Sequence, residues 1–364
     1  MSPSAPAPLF VIGIWRSGTS LLYALLNQHP DIALLYEGEA ALLRPAFWGG
    51  NKSDWQERWN FWNGALERHQ IQVGKLPQAV PDLQTAYAAV CRQYAESRNA
   101  AIWGDKSPSY NSQLCRLAQD FPGARFIIIW RDPAGILRSI ANAASKGNHF
   151  FAKKGMALRA LLGCRILRDE VDRLVAQGGA VHQIQYEEMV RDTEGAMRAV
   201  CAFLEIPFDP RMVTLEGADR SAIYDGEHHG NVKSSEIRVA EPKSPKAEIL
   251  APALLAKIAR YVNYWQAGTQ GEWPAYPVAG ANPHGAAPLV ERTLDAIAFR
   301  LLSLFDRFTS AVYSYAPISL LRWYRTSRGR RVPEMPAQSV ANSLDGELPD
   351  STPVEREQEA ANVR

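Results

Sequence analysis

The chain has 364 residues, 46% of them hydrophobic and 21% charged, an ordinary globular composition with room for one large domain or two modest ones. A net charge of +2 gives no global reason to expect nucleic acid, so any basic role must be local. The four widely spaced cysteines (Cys91, Cys115, Cys164 and Cys201) include no C-x-x-C, which argues against a zinc site or a disulfide framework and for packing in a reducing compartment.

The N-terminus has no basic segment followed by the apolar run of a signal peptide, and no later run is long enough to span a bilayer. The protein is therefore expected to be soluble and cytoplasmic. An apolar run over 9–14 gives way to the polar turn Arg16-Ser17-Gly18-Thr19-Ser20, and an apolar-periodic segment over 21–26 then stops at His29-Pro30. The pattern predicts strand, tight turn and helix, with free backbone N–H groups and a helix N-terminus that attract an anion. The frame Gly13-x-x-x-x-Gly18 is that of a P-loop, but Thr19 stands where the Walker lysine belongs and the cation has moved into the loop, to Arg16. Such a loop suits a phosphate better than ATP–magnesium.

A second short strand, 32–35, delivers Glu37 and Glu39 to its carboxyl end, where ligands bind in open α/β sheets. Residues 45–75 carry Trp48, Trp55, Trp59 and Trp62 and read as an insertion whose tryptophans pack helices. A helix is expected over 82–96 and a short strand over 101–103, leading into a turn with Asp105 and Lys106. The helix 110–119 follows, opened by Pro108. Residues 124–130 (ARFIIIW) are the clearest buried strand. The strand ends in Arg131-Asp132-Pro133, and the helix after it carries Ser139, so that Arg131 and Ser139 can converge on one anion.

Further on, the pattern predicts a helix over 154–176, a strand over 181–185 ending at Tyr186, and a helix from Asp192-Thr193 to Leu204. The polar segment 217–245 is long enough to be a lid or clamp. Its His228-His229 pair, with no third ligand nearby, reads as solvated rather than metal-binding. One more helix is expected over 246–267. The domain is bounded at 1–270, a Pro/Gly/Ala-rich linker spans 271–288, and 332–364 should be disordered. Between them, 289–331 is amphipathic and flanked by Arg322, Arg325, Arg328, Arg330 and Arg331. It is expected to pack on its own domain, on a second subunit in a homo-oligomer, or on an anionic membrane.

Three segments together resemble the sulfotransferase family, particularly its bacterial and protein-tyrosine or carbohydrate branches. They are the RSGTS loop, Arg131-Asp132-Pro133 with Ser139, and YEEMVRDTEGAMRAVCAFLEIPFD from Tyr186 to Asp209. The resemblance covers about residues 9–265 and implies a P-loop-like, three-layer α/β domain with a central parallel sheet flanked by helices. It implies 3′-phosphoadenosine 5′-phosphosulfate (PAPS) as donor and no metal. On this resemblance the 5′-phosphosulfate lies on Arg16, Ser17, Gly18, Thr19 and Ser20, the 3′-phosphate on Arg131 and Ser139, and Tyr186 approaches the adenine side. Two separate anions on one nucleotide need two cationic cradles, and the sequence holds two.

In-line sulfuryl transfer needs a base for the acceptor hydroxyl and cations for the bridging oxygen. The resemblance assigns Glu37 as base, with Glu39 as substitute and His149 ranked low, and Lys106 with Arg16 as the stabilising cations. Lys243 is a further candidate for the 3′-phosphate. The expected acceptor is a hydroxyl of a carbohydrate, a lipid or another small molecule. Two alternatives stay open, an inactive nucleotide-binding protein and a P-loop small-molecule kinase, although the missing Walker lysine speaks against the latter.

Overall fold

The computed structural model describes residues 7–38, 83–148, 150–153 and 155–223, with isolated positions from 232 to 323. Five strands, β1 (Leu9–Ile12), β2 (Ile32–Tyr36), β3 (Ile102–Lys106), β4 (Arg125–Trp130) and β5 (Ala180–Gln185), form one parallel sheet in the order β2-β3-β1-β4-β5. The helices are α1 (Thr19–Leu26), α2 (Leu83–Ser97), α3 (Leu114–Asp120), α4 (Pro133–Ser145), α5 (Met156–Ala176), α6 (Tyr186–Arg191) and α7 (Thr193–Leu204). Single 3-10 turns stand at Pro108–Ser112 and Pro210–Val213.

The strands are apolar throughout because both faces of the sheet are covered. Alternation along each strand divides the core. Phe10, Ile12, Trp103, Phe126 and Ile128 face a layer built from α2, α3, α4 and α5. Leu9, Val11, Ile32, Leu34, Ile127 and Ile129 face α1, α6 and α7. The result is the three-layer architecture expected from the sequence. Phe126, Ile127, Ile128 and Ile129 of β4 are wholly buried, each worth about 1.5–3 kcal/mol in apolar surface removed from water. The centre of the sheet is tight. Gly104 lies so close to β1 that an added Cβ would collide with the Leu9 carbonyl, which explains a glycine inside a strand.

From β1 the chain winds to β2 at one edge, returns to β3, then crosses β1 to β4 and β5. That reversal opens a crevice at the carboxyl ends of the central strands. Most sequence boundaries agree with the structure to within a few residues, with three differences. Asp105 and Lys106 belong to β3 rather than to a turn, because β3 pairs along its full length with β2. The helix expected at 110–119 is a 3-10 turn followed by α3. Tyr186 opens a short helix of its own, α6, before Asp192 starts α7. The tryptophan-rich insertion, most of the lid segment with His228-His229, the helix 246–267, the linker and the tail lie outside the described residues, as do Glu39, His149 and Lys243.

Candidate active site

The loop between β1 and α1 is held by the Ser17 N–H, which donates to the Ile14 carbonyl at 2.9 Å. Gly18 has φ 104°, and a Cβ there would run into the ring of Tyr186, so glycine is required both by the backbone and by the neighbour. Arg16 also sits at positive φ (71°), as does Glu37 (53°). A non-glycine residue in that region costs about 1–3 kcal/mol and persists where surrounding structure holds it, commonly at functional sites. Ser17 is 1% exposed, and its Oγ has no hydrogen-bond partner. A buried hydroxyl without a partner calls for an explanation, and an anion at the loop is one that its chemistry allows.

Two elements grip Arg16. Its Nε donates to Ser139 Oγ of α4 at 2.9 Å, and its main-chain carbonyl accepts from the Arg131 guanidinium at 2.8 Å. Burial, and then the neighbouring Arg131, lowers the Arg16 pKa. An anion at the loop would relieve both effects. Arg131 stands over Tyr186, with its guanidinium carbon 4.2 Å from the ring centroid, and its buried Nε has no partner. The two cradles expected from the sequence are thus one contiguous arrangement of Arg16, Ser139, Arg131 and Tyr186.

Across the crevice, β2 and β3 end side by side, with Tyr36 in register with Lys106. The pleat turns Lys106 toward α1 and Asp105 to the other face. Lys106 is wholly buried. Its Nζ donates to Glu37 Oε1 at 2.9 Å and stands 3.4 Å from the centroid of the Tyr36 ring. Burial works against the lysine charge, but Glu37 and Tyr36 outweigh it, and the pKa lies above that of an ordinary lysine. Tyr36 in turn shares a hydrogen bond of 2.8 Å with Ser20 of α1. The Glu37 N–H donates to the Lys106 carbonyl at 2.8 Å. Asp105 accepts from the Gly38 N–H at 3.2 Å and from the Tyr110 hydroxyl at 2.5 Å. This pins the backbone on either side of the Glu37 side chain.

Arg16, Ser17, Gly18, Thr19 and Ser20 therefore sit at the carboxyl end of β1, Glu37 at that of β2, Lys106 at that of β3, and Arg131 at that of β4. Three contributors have no role assigned from the sequence, although it places Asp105 beside Lys106. Tyr36 carries Lys106 on its ring, Asp105 anchors the turn after β2, and Glu187 orders the Arg131 corner by accepting from the Asp132 N–H at 3.0 Å. Burial raises the Glu187 pKa, and its second oxygen has no partner. Tyr36 and Glu187 each adjoin a residue that the motifs do single out, and that adjacency at a strand end was the available signal. His29, by contrast, is structural. Its Nδ1 accepts from the Asp31 N–H at 3.0 Å, which leaves Nε2 to donate to the Pro207 carbonyl at 2.8 Å.

Comparison with known proteins identifies the family. Protein-tyrosine sulfotransferase A of Caenorhabditis elegans is 21% identical over 70% of this chain, and the match spans 60% of the nematode protein's length. Protein-tyrosine sulfotransferase 1 of Danio rerio is 20% identical over 77% of this chain and 74% of its own. The solved sulfotransferase domain from the curacin biosynthetic pathway superposes with a TM-score of 0.51 at 18% identity, covering 72% of this chain and 98% of that one, and so shares its fold. The model of the sulfotransferase family matches residues 8–210, which takes in every site residue described above, and the chain belongs to that family.

Proposed function

We propose that this protein transfers a sulfuryl group from PAPS to an acceptor hydroxyl. The observation that carries the proposal is the pairing of a phosphate-type loop, with its unpartnered Ser17 hydroxyl, and an ion pair between buried Lys106 and half-buried Glu37 at neighbouring strand ends. Ser17, Gly18, Thr19 and Ser20, with Arg16, would hold the phosphosulfate, and Arg131 with Ser139 the 3′-phosphate, beside Tyr186. The buried Arg131 Nε and Ser17 Oγ, both without partners, fit such an anionic ligand.

The donor supplies an already activated sulfuryl group, so the protein's work is positioning, proton removal and charge stabilisation. Glu37 acts as the general base, accepting the proton of the acceptor hydroxyl. The strained backbone at φ 53° and the Asp105–Gly38 bond fix where that carboxylate stands. Lys106 keeps Glu37 in place before reaction and, with Arg16, supplies positive charge to the bridging oxygen as the sulfur–oxygen bond breaks. The acceptor is a hydroxyl borne by a carbohydrate, a lipid or another small molecule. The tyrosyl hydroxyl for which the two relatives are named is the competing acceptor.

The direct test is calorimetric binding of 3′,5′-ADP against ADP and ATP–magnesium, in wild type and in Arg131→Ala. Strong preference for 3′,5′-ADP, lost in the variant, is expected, and acceptor screening with PAPS and mass spectrometry then reads transfer. Equal or better binding of ATP–magnesium would overturn the donor assignment.

A further inference from the structure

Arg131 has a partner besides the phosphate proposed for it. Its Nη1 donates to the main-chain carbonyl of Arg16 at 2.8 Å. The same peptide unit carries the Ser17 N–H, which donates to the Ile14 carbonyl at 2.9 Å. The peptide between Arg16 and Ser17 is thus held at both ends, and from it the chain turns through Gly18 into α1. It needs holding, because Arg16 lies at φ 71°, where a non-glycine residue stays only if its surroundings fix it. Arg131 is itself firmly seated. Its guanidinium carbon is 4.2 Å from the centroid of Tyr186, and a Cβ on Gly135 would stand 3.2 Å from its Nε. Glu187 anchors the next peptide through the Asp132 N–H. A Cβ on Gly18 would meet the same Tyr186 ring, so one ring abuts both the loop and Arg131.

We infer that Arg131 is a positioning residue for the phosphosulfate loop as well as a contact for the 3′-phosphate, so that the two anion sites are energetically coupled. The inference rests on the donor reading above for the identity of the ligand, but not for the bond that transmits the coupling. A phosphate on the buried Nε, which has no partner, would fix the guanidinium and leave Nη1 on the Arg16 carbonyl. Ordering Arg131 from the 3′-phosphate side leaves less of the loop to order from the other side, which is positive coupling. Donor selection follows from it. An adenine nucleotide that lacks the 3′-phosphate meets a less firmly held loop, so discrimination against it exceeds the direct contacts of the missing group. Two independent cradles would behave otherwise, since loss of Arg131 would then weaken only ligands that carry a 3′-phosphate.

The test is calorimetric binding of 5′-AMP, which has no 3′-phosphate, beside 3′,5′-ADP, to the full chain as wild type, Arg131→Ala and Arg138→Ala. Arg138 sits at the same corner, half-exposed and paired with Asp132, and so reports the mere loss of one positive charge. Arg131→Ala should weaken 5′-AMP by about tenfold or more, the worth of a charge-assisted hydrogen bond, whereas Arg138→Ala should stay within about twofold of wild type. A second measurement needs no variant to fold. In wild type, hydrogen exchange of the amides of 16–20 should be slower under saturating 3′,5′-ADP than under saturating 5′-AMP. Unchanged 5′-AMP affinity in Arg131→Ala, or an equal loss in Arg138→Ala, would overturn the inference. So would equal exchange under the two nucleotides where 3′,5′-ADP is the tighter ligand. In each of these cases a 3′,5′-ADP preference that Arg131→Ala abolishes would leave the donor site standing. A wild type with no such preference would overturn the donor assignment instead, and 5′-AMP binding to Arg131→Ala would still decide whether Arg131 positions the loop.

Discussion

Lys106 is a full charge with no exposure to water, a state sustained by Glu37 on one side and the face of Tyr36 on the other. Glu37→Gln preserves shape and a hydrogen-bond acceptor but removes the base. Sulfuryl transfer should fall by about 10²–10⁴-fold while 3′,5′-ADP affinity is retained, measured by mass spectrometry of the acceptor and by calorimetry. Equal loss of both would make Glu37 a structural partner of Lys106 alone. Tyr36→Phe keeps the ring beneath Lys106 and deletes the bond to Ser20. It should cost about 1 kcal/mol in urea unfolding and leave donor binding intact. At this scale the sequence was readable where chemistry dictates residue type. Arg16, Glu37, Lys106, Arg131 and Ser139 all lie at the crevice the motifs predicted. Tyr36 and Glu187 were not readable, because an aromatic ring or a carboxylate beside a motif residue becomes meaningful only when register and packing show what it touches.

Among the elements, β2 has the most to manage, since it is a sheet edge. Its open side is closed by Asn27, just past α1, whose side chain donates to the Leu34 carbonyl at 3.0 Å and accepts from the Leu34 N–H at 2.8 Å. Asn27→Ala strands two buried backbone groups and should destabilise the fold by about 2–4 kcal/mol in urea unfolding, with donor binding preserved when the protein is folded. A loss under about 0.5 kcal/mol would mean that water replaces the amide. Elements buried on both faces, such as β4, were plain in the sequence because a short continuous apolar run has few other readings. Boundaries set by pairing were not. The sequence pattern ends this strand at 103 and puts Asp105 and Lys106 in a turn, whereas the register with Tyr36 carries β3 through Lys106. Likewise α6, six residues long, is too short to show a helical period.

The whole molecule holds several protons that the unfolded chain would release in mild alkali. Burial pushes the Cys164 thiol up to about 12 and raises Cys91, Tyr87 and Tyr23 above their ordinary values. The unfolded state ionises its thiols near pH 9.0 and its phenols near pH 10.0, so above those values it binds fewer protons than the native state. Stability is therefore complete below about pH 9 and declines as pH climbs toward 12. Urea midpoints measured from about pH 7 to pH 11 should hold steady and then drop, and a flat profile would contradict the buried thiols and phenols. The pairing order of the sheet also governs how the chain can be made. β1 is the first of the five described strands to be made, yet its partners are β3 and β4, which end at Lys106 and Trp130. At translation rates of about 5–20 residues per second, Leu9–Ile12 waits roughly 5–19 s with both edges unpaired, and roughly 6–24 s before both partners exist. Nascent chains stalled short of Trp130 should leave that strand open to protease and to chaperones, and chains stalled well beyond it should not.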